Sequence, residues 1–137
     1  MLKGKVIIVT GASSGIGLAS ARLFASRGNK LVMAARRLEL LESLAAEILA
    51  DPATSPETEI LTVRADVSVE EDCRQMVEAA IARFGGIDVL VNNAGISMRA
   101  LFKDVDLNVL RKLMDVNFWG TVYCTRYALR HVGTLVR

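Results

Sequence analysis

The residues best suited to chemistry lie in short stretches between aliphatic runs. Thr10-Gly11-Ala12-Ser13-Ser14-Gly15-Ile16-Gly17 sets three glycines and two serines in one turn, spaced Gly-x-x-x-Gly-x-Gly. Glycines at such spacing let a chain leave a strand sharply and bring backbone N–H groups to an anion with no Cβ in the way. Gly11 suits the tight exit, Gly15 the approach to a phosphate, and Gly17 the packing of the next helix on the strand. A helix starting near Ile16 adds unpaired N–H donors and the positive end of its dipole, and Ser13 and Ser14 add hydroxyls. The implied chemistry is pyrophosphate binding.

Arg36 stands 19 residues beyond Gly17 and is followed by Arg37. A dinucleotide site that accepts a free ribose 2′-hydroxyl carries Asp or Glu near this distance. A guanidinium instead donates a charge-assisted fork to a 2′-phosphate. Arg36 is therefore expected to hold such a phosphate, with Arg37 stacking on the base or sharing the charge. The plainer alternative is two solvated arginines at the start of a surface helix. Glu39 falls inside that helix and substitutes poorly for a ribose-binding acid.

Further candidates follow other strands. Asp66-Val67 follows the third strand, and Asn92-Asn93-Ala94-Gly95 leaves the fourth. Asparagine side chains can hold neighbouring strand ends together, while Ala94 and Gly95 leave room for a sugar. Leu110, Met114, Asn117 and Thr121 share one helical spacing, which predicts a buried amide at Asn117. Leaving that amide unpaired would cost ~1–3 kcal/mol. Gly120 nearby is expected to ease a bend.

The elements that position these residues alternate in period. Val6–Val9, Leu31–Ala35, Ile60–Val63 and Ile87 with Val89–Val91 read as strands. Helices are predicted over Ile16–Arg27, with Gly28 as a left-handed cap, over about Leu38–Ala50, after a Ser68/Glu71 capping box, and from near Leu107 past Tyr127. Asp51–Glu57 holds both prolines and reads as a loop. Successive β-α units predict an α/β fold, a doubly wound parallel sheet of Rossmann type, as a single domain over 1–137.

With these residues in view, the sequence resembles the short-chain dehydrogenase/reductase family. Thr10-Gly11-x-x-x-Gly15-Ile16-Gly17 is similar to that family's cofactor motif, and Asn92-Asn93-Ala94-Gly95 to its second signature. Asp66-Val67 resembles its adenine-binding position, and Asn117 the asparagine of its catalytic set. The resemblance implies that Gly11, Ser13, Ser14, Gly15, Ile16, Gly17, Arg36, Arg37, Asp66, Val67, Asn93, Ala94 and Gly95 bind the cofactor. It puts Asp66 on the adenine amino group, Asn93 near the adenosine ribose, Asn92 in a mainly structural role, and Asn117 on a water in the proton relay. With Arg36 in place, NADP is expected ahead of NAD. The implied reaction is hydride transfer between nicotinamide and a small-molecule alcohol/carbonyl pair.

The family's proton donor is a tyrosine with a lysine four residues later, which lowers the phenol's pKa, and a serine polarises the carbonyl. Here Tyr123 has Tyr127 at that spacing and Tyr127 has His131. Both tyrosines are read as packing residues. The resemblance covers the cofactor half and implies truncation near the start of a fifth strand, at Gly133–Arg137. The isolated chain is expected to be inactive; the alternative is a dinucleotide-binding module or inactive fragment without catalysis.

Composition excludes other classes. A net charge of +2 and an isolated arginine pair give no nucleic-acid footprint. The longest apolar runs fall far short of the ~20 residues that span a bilayer, so no membrane partner is expected. Cys73 and Cys124 form no metal-binding spacing, and His131 has no acidic or cysteine neighbour, so no metal is expected. Both cysteines fit the core of a cytoplasmic protein. In the family's strand order the fourth strand would lie at an edge here, and Phe118, Trp119 and Tyr123 would be partly exposed, which predicts self-association.

Overall fold

The computed structural model describes residues 2–132. Aliphatic, largely β-branched runs form four parallel strands: β1 (Val6–Thr10), β2 (Lys30–Ala35), β3 (Glu59–Arg64) and β4 (Val89–Val91), in the order β3-β2-β1-β4. Register follows one line across the sheet, with Ile7 facing Leu31 on one side and Val89 on the other. The helices are α1 (Gly15–Ser26), α2 (Leu38–Ala50), α3 (Glu70–Phe84), α4 (Leu107–Met114) and α5 (Gly120–Leu129).

The alternation of strand side chains creates two cores. Ile7, Val9, Leu31 and Met33 pack with Ala21 and Ala25 of α1 and Leu41, Ala45 and Ile48 of α2. Ile8, Val32 and Ala34 face the other way, toward Cys73, Met76, Val77 and Ala80 of α3 and Cys124 and Ala128 of α5. The sheet is therefore covered on both faces, as the continuous apolar strands require. The chain moves outward from β1 through β2 to β3, then crosses back to place β4 on the far side of β1. That reversal opens a crevice at the carboxyl ends of β1 and β4.

Several local expectations are corrected. Ser68 and Glu71 make no capping box: Val69 is the N-cap of α3 and carries no side-chain cap bond. The Ser68 hydroxyl and N–H both turn to the Asp66 carboxylate, at 2.7 and 3.0 Å, because that charged acceptor is the stronger partner. Ile87 lies outside β4, bridging to Val132, while the Asp88 carboxylate accepts from Val6 N at 2.8 Å.

The final helix is not continuous. A π-helical turn, Asp115–Trp119, separates α4 from α5. Its extra residue rotates the helix face. Val116, Gly120, Cys124 and Ala128 are buried, whereas Met114, Asn117 and Thr121 are exposed. Gly120 lets the helix approach the β3–α3 connection, where a Cβ would lie 2.6 Å from Val67 Cγ2. The expected fifth strand lies outside the described residues.

Candidate functional site

A cleft of about 340 Å³ opens at the carboxyl ends of the strands. The turn after β1 forms one wall, the ends of β2 and β3 the second, and the segment leaving β4 the third. It brings together Gly11, Ser13, Ser14, Gly15, Ile16, Arg36, Arg37, Asp66, Val67, Asn93, Ala94 and Gly95. Gly17 sits behind the turn. Asn117 does not line the cleft and reaches it through Ile96.

The turn is held by one buried hydroxyl and one amide. Thr10 Oγ1 accepts from Asn93 N and Ala94 N, both at 3.0 Å, and donates to Val91 O at 3.4 Å. Asn93 Nδ2 donates to Thr10 O at 3.2 Å and Gly11 O at 3.1 Å. These bonds tie the tip of β4 to the tip of β1. Asn93's amide nitrogen braces the turn while the residue lines the cleft. Asn92 Nδ2 turns away to Thr125 Oγ1, at 3.0 Å.

Two glycines of the turn answer different demands. Gly15 has φ +55°, and nothing lies within 4 Å of where its Cβ would be. Gly17 has no such freedom: a Cβ there would collide with the Gly11 carbonyl oxygen and the Asn93 amide. Its smallness thus serves the turn itself more than the packing of helix on strand. The first helical bond of α1 runs from Leu18 N to Ser14 O. The N–H groups of Gly15, Ile16 and Gly17 therefore have no helical acceptor. Ser14 makes no cap bond, and the first turn holds no acidic side chain. Donors and dipole are left for an anion.

Arg36 and Arg37 are exposed on the rim, beside Asp66. Burial raises the Asp66 pKa, but the Ser68 hydroxyl and N–H, with the Arg36 and Arg64 charges, outweigh it and hold the carboxyl below its ordinary value of 3.8. Asp66 is thus an ionised acceptor at neutral pH. Asp66 N donates to Asp72 Oδ2 at 2.9 Å, which fixes the connection between β3 and α3.

Asn117 differs from expectation: it is exposed, yet its amide is paired twice. Ile96 N donates to Asn117 Oδ1 and Asn117 Nδ2 donates to Ile96 O, both at 2.8 Å. This clamp joins the π turn to the segment after β4. Tyr127 OH donates to Glu70 Oε2 at 2.6 Å, which pushes its pKa above the ordinary phenol value. Tyr123 stacks on Trp119.

Ala35, Ala65, Ile96 and Val116 also line the cleft and were not singled out from sequence. Ala35 ends β2 and Ala65 follows β3, so their strand-end positions were the available signal. Ile96 and Val116 depend on the π turn, which no spacing announced. Among the described residues, no three His, Cys, Asp or Glu side chains are grouped to hold a metal, and no helix is long and apolar enough to cross a membrane.

Comparison with known proteins places this geometry in context. Residues 5–135 match the family model described as short chain dehydrogenase. The chain is 49% identical over 128 residues to 11-beta-hydroxysteroid dehydrogenase A of Sesamum indicum, a match covering 91% of this chain and 35% of that protein. It is 44% identical over 130 residues to an uncharacterised oxidoreductase of Bacillus subtilis, covering 95% and 35%. Among solved structures it resembles an alcohol dehydrogenase from Thermococcus sibiricus complexed with 5-hydroxy-NADP, at TM-score 0.86 and 31% identity, covering 93% and 52%. A short-chain dehydrogenase/reductase from Brucella melitensis matches at TM-score 0.88 and 34% identity, covering 96% and 53%. The chain spans about a third of the length of these curated relatives and about half that of the solved neighbours.

Proposed function

The chain belongs to the short-chain dehydrogenase family, and from that premise we propose that it carries the NADP site of an oxidoreductase acting on an alcohol/carbonyl pair. The observation that carries the reading is the shared cleft of an anion-ready helix start and two rim arginines. The neighbour complexed with 5-hydroxy-NADP supports a nicotinamide dinucleotide. The plant relative's name supports a hydroxyl/ketone substrate pair.

The residues present fit such a group. Open space at Gly15 admits a pyrophosphate to the N–H groups of Gly15 and Ile16, with Ser13 and Ser14 as further donors. Arg36 holds the 2′-phosphate and Arg37 assists it; Asp66 and Val67 hold the adenine edge, and Asn93, Ala94 and Gly95 flank the adenosine ribose. When bound, the nicotinamide supplies or takes a hydride. Asn117 fixes the Ile96 backbone at the far end of the cleft, and its relay role belongs to this same reading.

Neither tyrosine of the 137 residues has a lysine four positions later. We therefore expect this chain alone to bind cofactor without turnover, as a phenol of pKa ~10 is a poor proton donor unassisted. A cytoplasmic location rests on the sequence alone. Self-association is supported by the exposed Phe118 and Trp119. Incubation with NADPH and a panel of aldehydes and ketones tests the reading. The expected result is enhanced nicotinamide fluorescence with no loss of absorbance; steady NADPH consumption would overturn the expectation of inactivity, and no fluorescence response would overturn the site.

A further inference from the structure

Cys73 of α3 and Cys124 of α5 are both free and fully buried, and their Sγ atoms lie 3.5 Å apart. They are the sequence's two cysteines. Cys124 donates to Cys73, and Cys73 donates to the Val67 carbonyl oxygen at 3.4 Å. Val67 lines the cleft. The sulfur pair is thus one hydrogen bond from the wall of the candidate cofactor site.

Nothing stands between the two sulfurs. A disulfide needs them at ~2.05 Å, so closure requires a movement of only about 1.5 Å. Backbone approach offers little of that movement, because Gly120, one helical turn before Cys124, is already pressed against Val67. Side-chain rotation must supply the rest, and it draws Cys73 away from Val67 O.

We propose that Cys73 and Cys124 are a peroxide-sensitive pair that forms a reversible intramolecular disulfide and thereby weakens cofactor binding. The second half rests on the reading of Val67 as an adenine contact. In the first step the Cys124 thiolate attacks one oxygen of hydrogen peroxide. The S–O bond forms, the O–O bond breaks, and the departing hydroxide takes a proton to leave as water. In the second step the Cys73 sulfur, losing its proton, attacks the Cys124 sulfur; the S–S bond forms, the S–O bond breaks, and the hydroxyl leaves as a second water. Two thiols give up two electrons and two protons, and peroxide takes both.

Cys124 suits the first step. Once it ionises, the Cys73 thiol turns its proton from Val67 O to the new thiolate, and that bond holds Cys124 below the ordinary thiol value although burial opposes it. Burial also restricts the oxidant to a small uncharged one. In a reducing compartment such a bond is transient.

The test is peroxide treatment of the purified chain, then alkylation and digestion without reductant. The expected product is a linked Cys73–Cys124 peptide, with an intact mass lower by two hydrogens, reversed by dithiothreitol. It should be absent from Cys73→Ser and Cys124→Ser. Two alkylated cysteines, two sulfinic acids or a link between chains would each overturn the proposal. NADPH titration reads the second half: the oxidised chain should bind ~5-fold more weakly, the worth of one hydrogen bond. Cys73→Ser retains Cys124 but cannot close the S–S bond, so its NADPH affinity should be unchanged by peroxide. A linked peptide with unchanged affinity contradicts the coupling while leaving the disulfide standing. No NADPH binding by the reduced chain contradicts the coupling together with the cofactor reading, and the peptide map still decides the disulfide.

Discussion

The two ends of the cleft are built differently. At the end after β1, Thr10 and Asn93 lock the tips of β1 and β4 through five hydrogen bonds, and glycine at 17 is demanded by its neighbours. At the other end, one side chain, Asn117, holds Ile96 through a pair of bonds. Just beyond Ile96, Leu101 and Phe102 are 65% and 80% exposed. The contrast teaches where rigidity is spent. The end formed by the tips of β1 and β4 is preorganised by bonds between adjacent parallel strands, so the proposed pyrophosphate would meet donors already in place. The Ile96 end rests on one amide from the π-helical turn, and its geometry is correspondingly easier to perturb.

The largest effect tests the rigid end. Gly17→Ala forces a Cβ into the Gly11 carbonyl and the Asn93 amide. It should destabilise the fold by ~1–3 kcal/mol, the usual cost of overpacking, and abolish NADPH binding. Gly15→Val is the counterpart: its side chain meets open space, though φ +55° is strained by ~1–2 kcal/mol. It should keep most of the sheet and lose dinucleotide binding. Circular dichroism melts and NADPH fluorescence titrations of both variants separate the two demands. Near-wild-type affinity in Gly15→Val would reject the phosphate turn.

Arg36→Asp addresses the rim with a smaller change. The lost charge-assisted bond is worth ~1.5–3 kcal/mol, and the new carboxylate repels a 2′-phosphate. The preference between NADPH and NADH should reverse in a fluorescence competition titration. An unchanged ratio would leave Arg36 as a solvated arginine.

Asn117→Ala probes the looser end. Losing both bonds to Ile96 should cost ~1–2 kcal/mol, moderated by exposure, and appear as a modest fall in melting temperature. NADPH affinity should change less than in the glycine variants. A collapse of binding equal to that of Gly17→Ala would erase the difference between the two ends.

The rigid end was also the legible one. Glycine spacing, the arginine distance and the residues after each strand are local signals, and twelve of the expected cofactor residues line one cleft. β-α alternation and handed crossovers narrowed the topologies to a doubly wound sheet, and the strand order itself came from the family resemblance. What escaped was set by tertiary competition. Ser68 had the spacing of a capping box but found a better partner in Asp66. Asn117 had the spacing of a buried face, but the π turn rotated it outward and gave its amide to Ile96. The closeness of Cys73 and Cys124, 51 residues apart in sequence, is a product of helix packing that neither local pattern contains.

Titration calorimetry of the unmodified chain with NADP and NAD, side by side at one ionic strength, tests the central claim most directly. The expected result is one site per chain with NADP tighter by ~10-fold or more, the minimum for a paired 2′-phosphate. Equal affinities, tighter NAD, or no saturable heat with either dinucleotide would contradict it.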